Sequence, residues 1–593
     1  MKKLFRNYRL PMLTALGAGM LLLGCTNADY DFDKVDYTLG FGSGELVLPS
    51  NNSINITLDD ILNLGNSDLI STTASGDYVL SKKPEDVSPI TVSVDPLVQT
   101  IDESGEQSFT IDLPAEIQAL AGTLVNLKNT LGHSLEGSGN ISLISYKFDV
   151  DPVVKELKYV GIGYENGVDL KLNIQLPAAV KEAKLTIQLP RNFDMTYAGT
   201  AGTFNTANNT LTLDVNQNSN ASDMQPTFKV KGINMQKYDE KNYATYDANK
   251  NEVIMLSDIA LNIEILQLQV PSTPSITLKG TPSFDAIVVT SAHGVFDPAI
   301  DLDNIGTATI NDIPNFLTDK EVVADIANPL IWLTLKSDLP LGGIIEAKIS
   351  STTYPQGIMI DGANAIELKP KAPGATLGAE TKVVLCRRAP ENLNGYKAIE
   401  IEDLSKLIQK LQDGMKLSFT ATKAKAKQEE ATVELGKKYE LTPSYNFNAA
   451  MSLGDKAVIV YADKENDWNK DIDKLELSNN STITLTAAVE NQVPADLEIN
   501  ISPVDKNGQT LTALTVTPIK NKVAAGASAG EIQYEITDAS GKALKQLDGV
   551  DYRLKVTAPS DAAQKGKTLN KNHQIHIKEI KMQVKGKVVY DAN

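Results

Sequence analysis

The chain has 593 residues, with 56 basic against 74 acidic side chains, a formal net charge of −18 and 6% aromatic residues. So anionic a chain has little to offer nucleic acid phosphates or anionic lipid headgroups. With two Trp in all, it lacks material for the aromatic girdles of a membrane-spanning barrel. The length fits roughly four domains of about 150 residues, each large enough to bury a core.

The chain begins with a basic stretch, Lys2, Lys3, Arg6 and Arg9, followed by an apolar run from Leu10 to Leu23. That run is too short to anchor in a bilayer and reads as a cleaved secretory signal, residues 1–24. It ends in Leu22-Leu23-Gly24-Cys25, which resembles the lipobox of bacterial lipoproteins. The resemblance implies lipidation of Cys25, cleavage before it and acylation of the new amine. The acyl chains then supply the membrane attachment, at roughly 0.8 kcal/mol per buried CH₂. Residues 25–45 read as a solvated tether, with Asp29, Asp31, Asp33 and Asp36 ahead of Gly40-Phe41-Gly42-Ser43-Gly44. Cys386 is the other thiol of the chain. It has no partner for an intramolecular disulfide once Cys25 is lipidated, and it reads as a small buried hydrophobe.

Beyond the tether the dominant signal is alternation with period two. Ile56 to Leu64 reads as a strand running into the acidic start of a short helix, and Ile399 to Leu407 repeats the pattern. Ala308 to Phe316 is a weaker copy. Val168 to Leu176 alternates strictly, as do Leu185 to Leu189, Leu211 to Val215 and Ile483 to Val489, so each predicts a strand with one buried face. Two runs slip phase, at Ile265-Leu266 and between Ile577 and Ile580, which predicts β-bulges. Trp332, in Leu330-Ile331-Trp332-Leu333, has apolar neighbours on both sides and reads as core. Leu404, Leu407, Ile408 and Leu411 follow Glu402-Asp403 and precede Gly414, the pattern of a capped helix. Leu176-Pro177, Leu339-Pro340 and Val493-Pro494 each interrupt an alternating run, about one domain length apart, where Pro suits a strand end or crossover.

These signals predict an all-β chain of tandem Ig-like or transthyretin-like β-sandwich domains with few short helices. The pattern alone carries that resemblance. Linker-like Pro271 to Pro282, Lys369 to Pro373 and Ala389 to Gly395 divide the chain into β domains at 46–150, 151–275, 276–390, 391–480 and 481–593.

Candidate chemistry is sparse. Gly526-Ala527-Ser528-Ala529-Gly530 matches the spelling of a nucleophile elbow, with Asp538 or Asp551 and then His573 following in hydrolase order. The chemistry needs a strained strand-to-helix turn, whereas here a strand-like Ile532 to Ile536 follows, so the segment reads as a loop. His573 and His576 point to opposite faces, and His133 and His293 read as loop residues without ligand neighbours. No zinc site is expected. Asp463, Glu465, Asp467, Asn469 and Asp471 alternate like a calcium loop, but Trp468 and Lys474 stand where an EF-hand needs Gly and Glu. That run and the looser Asp297, Asp301 and Asp303 read as solvated acidic loops. Trp468, near Tyr461, offers a stacking face for a sugar ring.

Together, the lipobox, the acidic tether and the β-rich repeats resemble the surface lipoproteins of Bacteroidota, with specific motifs confined to residues 1–36. In that group acidic residues after the lipidated Cys accompany export to the outer leaflet. Asp29, Asp31 and Asp33 are here interleaved with Tyr30 and Phe32. The resemblance implies an outer-membrane, lipid-anchored protein facing the cell exterior. The reading is a non-enzymatic binding or adhesion scaffold, without cofactor or metal, whose partner is a surface glycan or a protein. Two alternatives stand beside it, a glycan-binding component of a polysaccharide-uptake system and a fimbrial-type structural subunit.

Overall fold

The computed structural model describes residues 39–49, 54–62, 69–82, 88–93, 97–99, 105–163, 166–217, 223–285, 287–298, 302, 305–311, 313–314, 317, 320–465, 475–477, 482–539 and 542–590. Within them the chain is all-β, forming six sheets of 7, 10, 7, 5, 7 and 4 strands. Among the described residues, helices are limited to single turns of six residues or fewer. None of the described helices is long and apolar enough to cross a membrane.

The sheets pair into sandwiches that use one connectivity three times. In the first, Val168–Gln175 ends before Pro177, and the chain crosses to Val180–Gln188 in the facing sheet. Thr227–Asn234 and Ser275–Phe284 then flank the first strand, while Glu252–Gln269 pairs with the second. The next sandwich repeats this with Leu330–Ser337, Pro340 and Gly343–Ser351. Ala379–Cys386 and Lys438–Ala450 flank the first strand, and Met415–Ala426 pairs with the second. The third uses Thr482–Asn491, Pro494 and Asp496–Val504. Here Gly530–Asp538 and Gln574–Tyr590 flank the first strand, and Gly549–Thr557 pairs with the second. In every unit the proline marks the point where the chain leaves one sheet for the other. A residue with no N–H to donate is least costly there.

Alternation fills the space between the sheets. In the first unit Leu170, Leu172 and Ile174 meet Leu185 and Ile187, all at 0% exposure. Each such side chain contributes about 1.5–3 kcal/mol by leaving water. The second and third units share one continuous cluster, from Leu333 and Leu417 to Leu497 and Val556. Both expected bulges are present. The pairing skips Leu266 between Ala183↔Ile265 and Glu182↔Gln267, and it shifts again between Thr486↔Lys581 and Ala488↔Lys578.

Sheet membership regroups the expected domains. Strands from both 276–390 and 391–480 interleave in the two sheets of the second sandwich, while Ser275–Phe284 and Ile287–Phe296 belong to the first and Val458–Glu465 to the third. Residues 46–150 form no sheet of their own among the described residues. Leu39–Pro49 and Ile54–Thr57 extend the third unit, and Tyr78–Lys82 and Ile90–Ser93 the second. Gln107–Asp112 and Leu135–Asp149 extend the first. The N-terminal segment thus runs along all three units in reverse order. Alternation marks a buried face but not its partner, and loop closure costs little more for a distant partner than for a near one.

The expected helix at Leu404–Leu411 contracts to a 3-10 turn, Glu402–Leu407. Leu404, Leu407, Ile408 and Leu411 are all buried as their spacing requires. The turns close with 3-10 spacing, the Leu404 and Ile408 N–H groups donating three residues back to the Ile401 and Ser405 carbonyls, and the Gln409 carbonyl accepts the Ala324 N–H at 2.9 Å.

Candidate functional site

In Leu330–Ser337 it is Ile331, Leu333 and Leu335 that face the interior. Trp332, expected in the core, shares the opposite side of the strand with Thr334 and Lys336 and is half-buried there. Its cross-strand neighbours are Val384 on one side and Asn446 on the other, while Thr334 lies between Lys382 and Ser444. Asn446 and Ser444 are exposed, and Val384 is fully buried.

A turn brings a second aromatic ring onto this face. Asn394 and Gly395 adopt left-handed φ of 47° and 82°, which Asn and Gly tolerate best. The Asn392 side chain accepts the Asn394 N–H at 3.0 Å, and the Leu393 carbonyl accepts the Tyr396 N–H at 2.8 Å. Tyr396 is thereby set edge-to-face against Trp332, with ring centroids 4.9 Å apart and planes at 86°. Such a pair adds about 0.5–1.5 kcal/mol beyond burial. The Tyr396 and Thr334 hydroxyls share a 2.9 Å hydrogen bond that fixes the phenol. Lys382 Nζ stands 6.0 Å from the Tyr396 ring centre and 2.7 Å from the Glu380 carboxylate. The Glu380 hydrogen bond raises the Lys382 pKa, so the ammonium stays charged beside the ring. The result is a corner in which the two aromatic rings meet beside Thr334, with the exposed Asn446 and Ser444 on the adjoining strand at the far side of Trp332. Chemically it suits binding of a ring with apolar C–H faces and polar edges.

The sequence signal for this corner was available. Ile331, Leu333 and Leu335 alternate strictly, which puts Trp332 in the phase of Thr334 and Lys336. Apolar Leu330 masks that phase.

The other candidates are dispersed. Cys25 and Trp468 lie outside the described residues, as do Asp467, Asn469, Asp471, Asp301 and Asp303. Tyr461, in Val458–Glu465, packs against the core with Leu58, Val493 and Leu554, its ring centroid 6.4 Å from that of Tyr552. Ser528 is exposed on a bend that enters the strand Gly530–Asp538 directly, without a helix. Its supposed partners have other neighbours. Asp538 accepts the Leu544 N–H at 3.1 Å, Lys464 stands 3.6 Å from Asp551, and His573 Nδ1 accepts the Asn570 N–H at 3.1 Å.

His293 sits in the strand Ile287–Phe296 rather than in a loop, and its Nδ1 lies 3.0 Å from the Thr432 hydroxyl. The buried Cys386 thiol lies 3.7 Å from the Ile399 carbonyl, and burial, then Glu400, raises its pKa. This is the inert environment of a packing residue. No group of three or more metal-ligating side chains converges among the described residues.

No family model matches the chain, and no curated protein matches it either. Among solved structures, "a putative secreted protein from Parabacteroides distasonis ATCC 8503" aligns at 17% identity over 50% of this chain and 90% of that one, with a TM-score of 0.35. A chain of the Sulfolobus Turreted Icosahedral Virus aligns at 9% identity over 80% of this chain and 99% of that one, with a TM-score of 0.11. Likenesses this loose carry no argument about fold or activity.

Proposed function

We propose that this protein is a cell-surface lipoprotein, held in the outer membrane through acylated Cys25, that serves as a non-enzymatic binding or adhesion scaffold. The observation that carries the reading is the threefold use of one sandwich connectivity downstream of a lipobox. Repeated rigid β-units on a tether present surface away from a membrane, and the aromatic corner of the second unit is such a surface. The polar groups nearest to a catalytic arrangement support binding over turnover, since Asp538 and His573 each hold separate backbone N–H groups.

Metabolic labelling with an alkyne fatty acid tests the anchor. Label in the wild type that disappears in Cys25→Ser supports the reading, and label that persists in the variant defeats it. Ester and peptide substrates assayed with wild type and Ser528→Ala test the non-enzymatic part. Turnover lost only in the variant would contradict it.

A further inference from the structure

We infer that the Trp332–Tyr396 corner is a saccharide-binding site that seats an uncharged pyranose ring. The inference rests on the binding reading above and names its ligand class. Four features converge. The indole and phenol meet at 86° and form two walls of a corner rather than one flat patch. A pyranose presents just such a shape, a C–H face for stacking and an edge of hydroxyls. The corner is held by strands on both sides and by the Thr334–Tyr396 bond, so little ordering entropy is lost on binding.

The strand flanking Trp332 carries the chemistry that hydroxyls need. Asn446 offers a donor pair and an acceptor, and Ser444 one hydroxyl, both exposed beside the aromatic wall. The charged neighbour Lys382 is paired with Glu380 at 2.7 Å, and Lys336 stands exposed on the same face two residues beyond Thr334. The chain as a whole, at −18, repels uronates and sulfated sugars. That net charge favours an uncharged saccharide over an anionic one.

The chain has two tryptophans, which permits a direct test. In a Trp468→Phe background Trp332 is the sole tryptophan, and its emission reports the corner alone. The full mature chain in that background is titrated with soluble mannan, β-glucan, xylan and galactan, and with polygalacturonate as the anionic comparison. A saturable change in Trp332 emission with at least one neutral polymer is expected. The same polymer cast in a native gel should retard the protein. Tyr396→Ala and Asn446→Ala should weaken that retardation by about tenfold or more, because truncating a central anchor removes upwards of about 1.4 kcal/mol. Tyr238→Ala, an exposed tyrosine elsewhere, should leave it unchanged. Thermal melts of each variant separate lost binding from lost fold.

The inference is overturned if no neutral polymer changes Trp332 emission, if polygalacturonate alone does, or if folded Tyr396→Ala binds as the wild type does. Loss of sugar binding on Trp468→Phe itself would also overturn it. Any of these results leaves the surface-scaffold reading standing, since fatty-acid labelling and cell-surface display test that separately.

Discussion

The Asp77 carboxylate accepts a 2.8 Å hydrogen bond from the Asn570 side-chain amide, joining positions 493 residues apart. The same amide reaches the Ser75 carbonyl at 2.9 Å, and the Tyr78 N–H donates to the Leu569 carbonyl at 2.9 Å. The loop at 73–77 is thereby latched to the segment that leads into Gln574–Tyr590. This stretch of the N-terminal segment is therefore fastened to the end of the chain.

This latch is acid-sensitive. Hydrogen bonds from Ser75 and Asn570 lower the Asp77 pKa from its ordinary 3.8. Burial lowers that of His573 from its ordinary 6.5, against the pull of Asp77. A carboxylate with a depressed folded pKa contributes stability that is full above its unfolded value and is lost as pH falls through the folded one. A histidine with a depressed folded pKa acts in the same direction, because the unfolded chain takes up the proton more readily. Protonation also removes the Nδ1 acceptor that holds the Asn570 N–H. Amide exchange at Tyr78, corrected for intrinsic rates, should therefore accelerate as pH falls below about 6.5, the ordinary imidazole value. His573→Gln should flatten that first phase. Exchange at Tyr78 that is independent of pH from 7 to 5 would contradict the latch.

Asp325 is 3% exposed and ties three segments. Its Oδ2 accepts the Lys456 N–H at 2.9 Å, and its backbone carbonyl accepts the Gly454 N–H at 2.8 Å. Arg387 Nη1 stands 3.6 Å from Oδ1, close enough for charge pairing but too far for a hydrogen bond. Removing a buried partner leaves its mate desolvated and unpaired. Asp325→Ala should then cost about 3 kcal/mol, the low end for a broken buried pair, because Arg387 keeps 24% side-chain exposure. Gly454→Ala should also destabilise, since its Cβ would lie 2.5 Å from Oδ2. Urea midpoints measure both. A loss below about 1 kcal/mol for Asp325→Ala would mean that water already screens the pair.

On the first unit, the Tyr159 ring leans over bare Gly232, where an added Cβ would fall 1.9 Å from the phenol oxygen. The Tyr159 hydroxyl donates to Asp194 at 3.1 Å, and burial followed by Asp194 pushes its pKa up to about 12. Gly232→Ala should cost about 1–3 kcal/mol by overpacking. Combining it with Tyr159→Ala should recover most of the clash, a coupling that thermal melts of the double-mutant cycle would show. Additive losses would mean that the ring does not occupy that space.

What the sequence disclosed follows from the range of the forces involved. The face of Val168–Gln175, the bulge at Leu266 and the sheet change at Pro177, Pro340 and Pro494 are set by neighbours in sequence, and each is legible there. The pairing of Leu39–Pro49 with Gln574–Tyr590 is not, because any apolar-faced strand satisfies the same alternation. At Leu404 the apolar spacing fixes which residues are buried but not whether the turns close as an α-helix or as a 3-10 turn. At the candidate site Trp332 was hidden by apolar neighbours on both sides. Its partner Tyr396 arrives through a turn that only the Asn394-Gly395 pair foreshadows.

The central claim, a lipid-anchored scaffold displayed outside the cell, is tested most directly by labelling intact cells with an antibody raised against the mature chain. Unpermeabilised wild-type cells should label strongly, and in Cys25→Ser that label should be lost or released to the medium. Labelling that appears only after the outer membrane is permeabilised, or that is unchanged in Cys25→Ser, would contradict it.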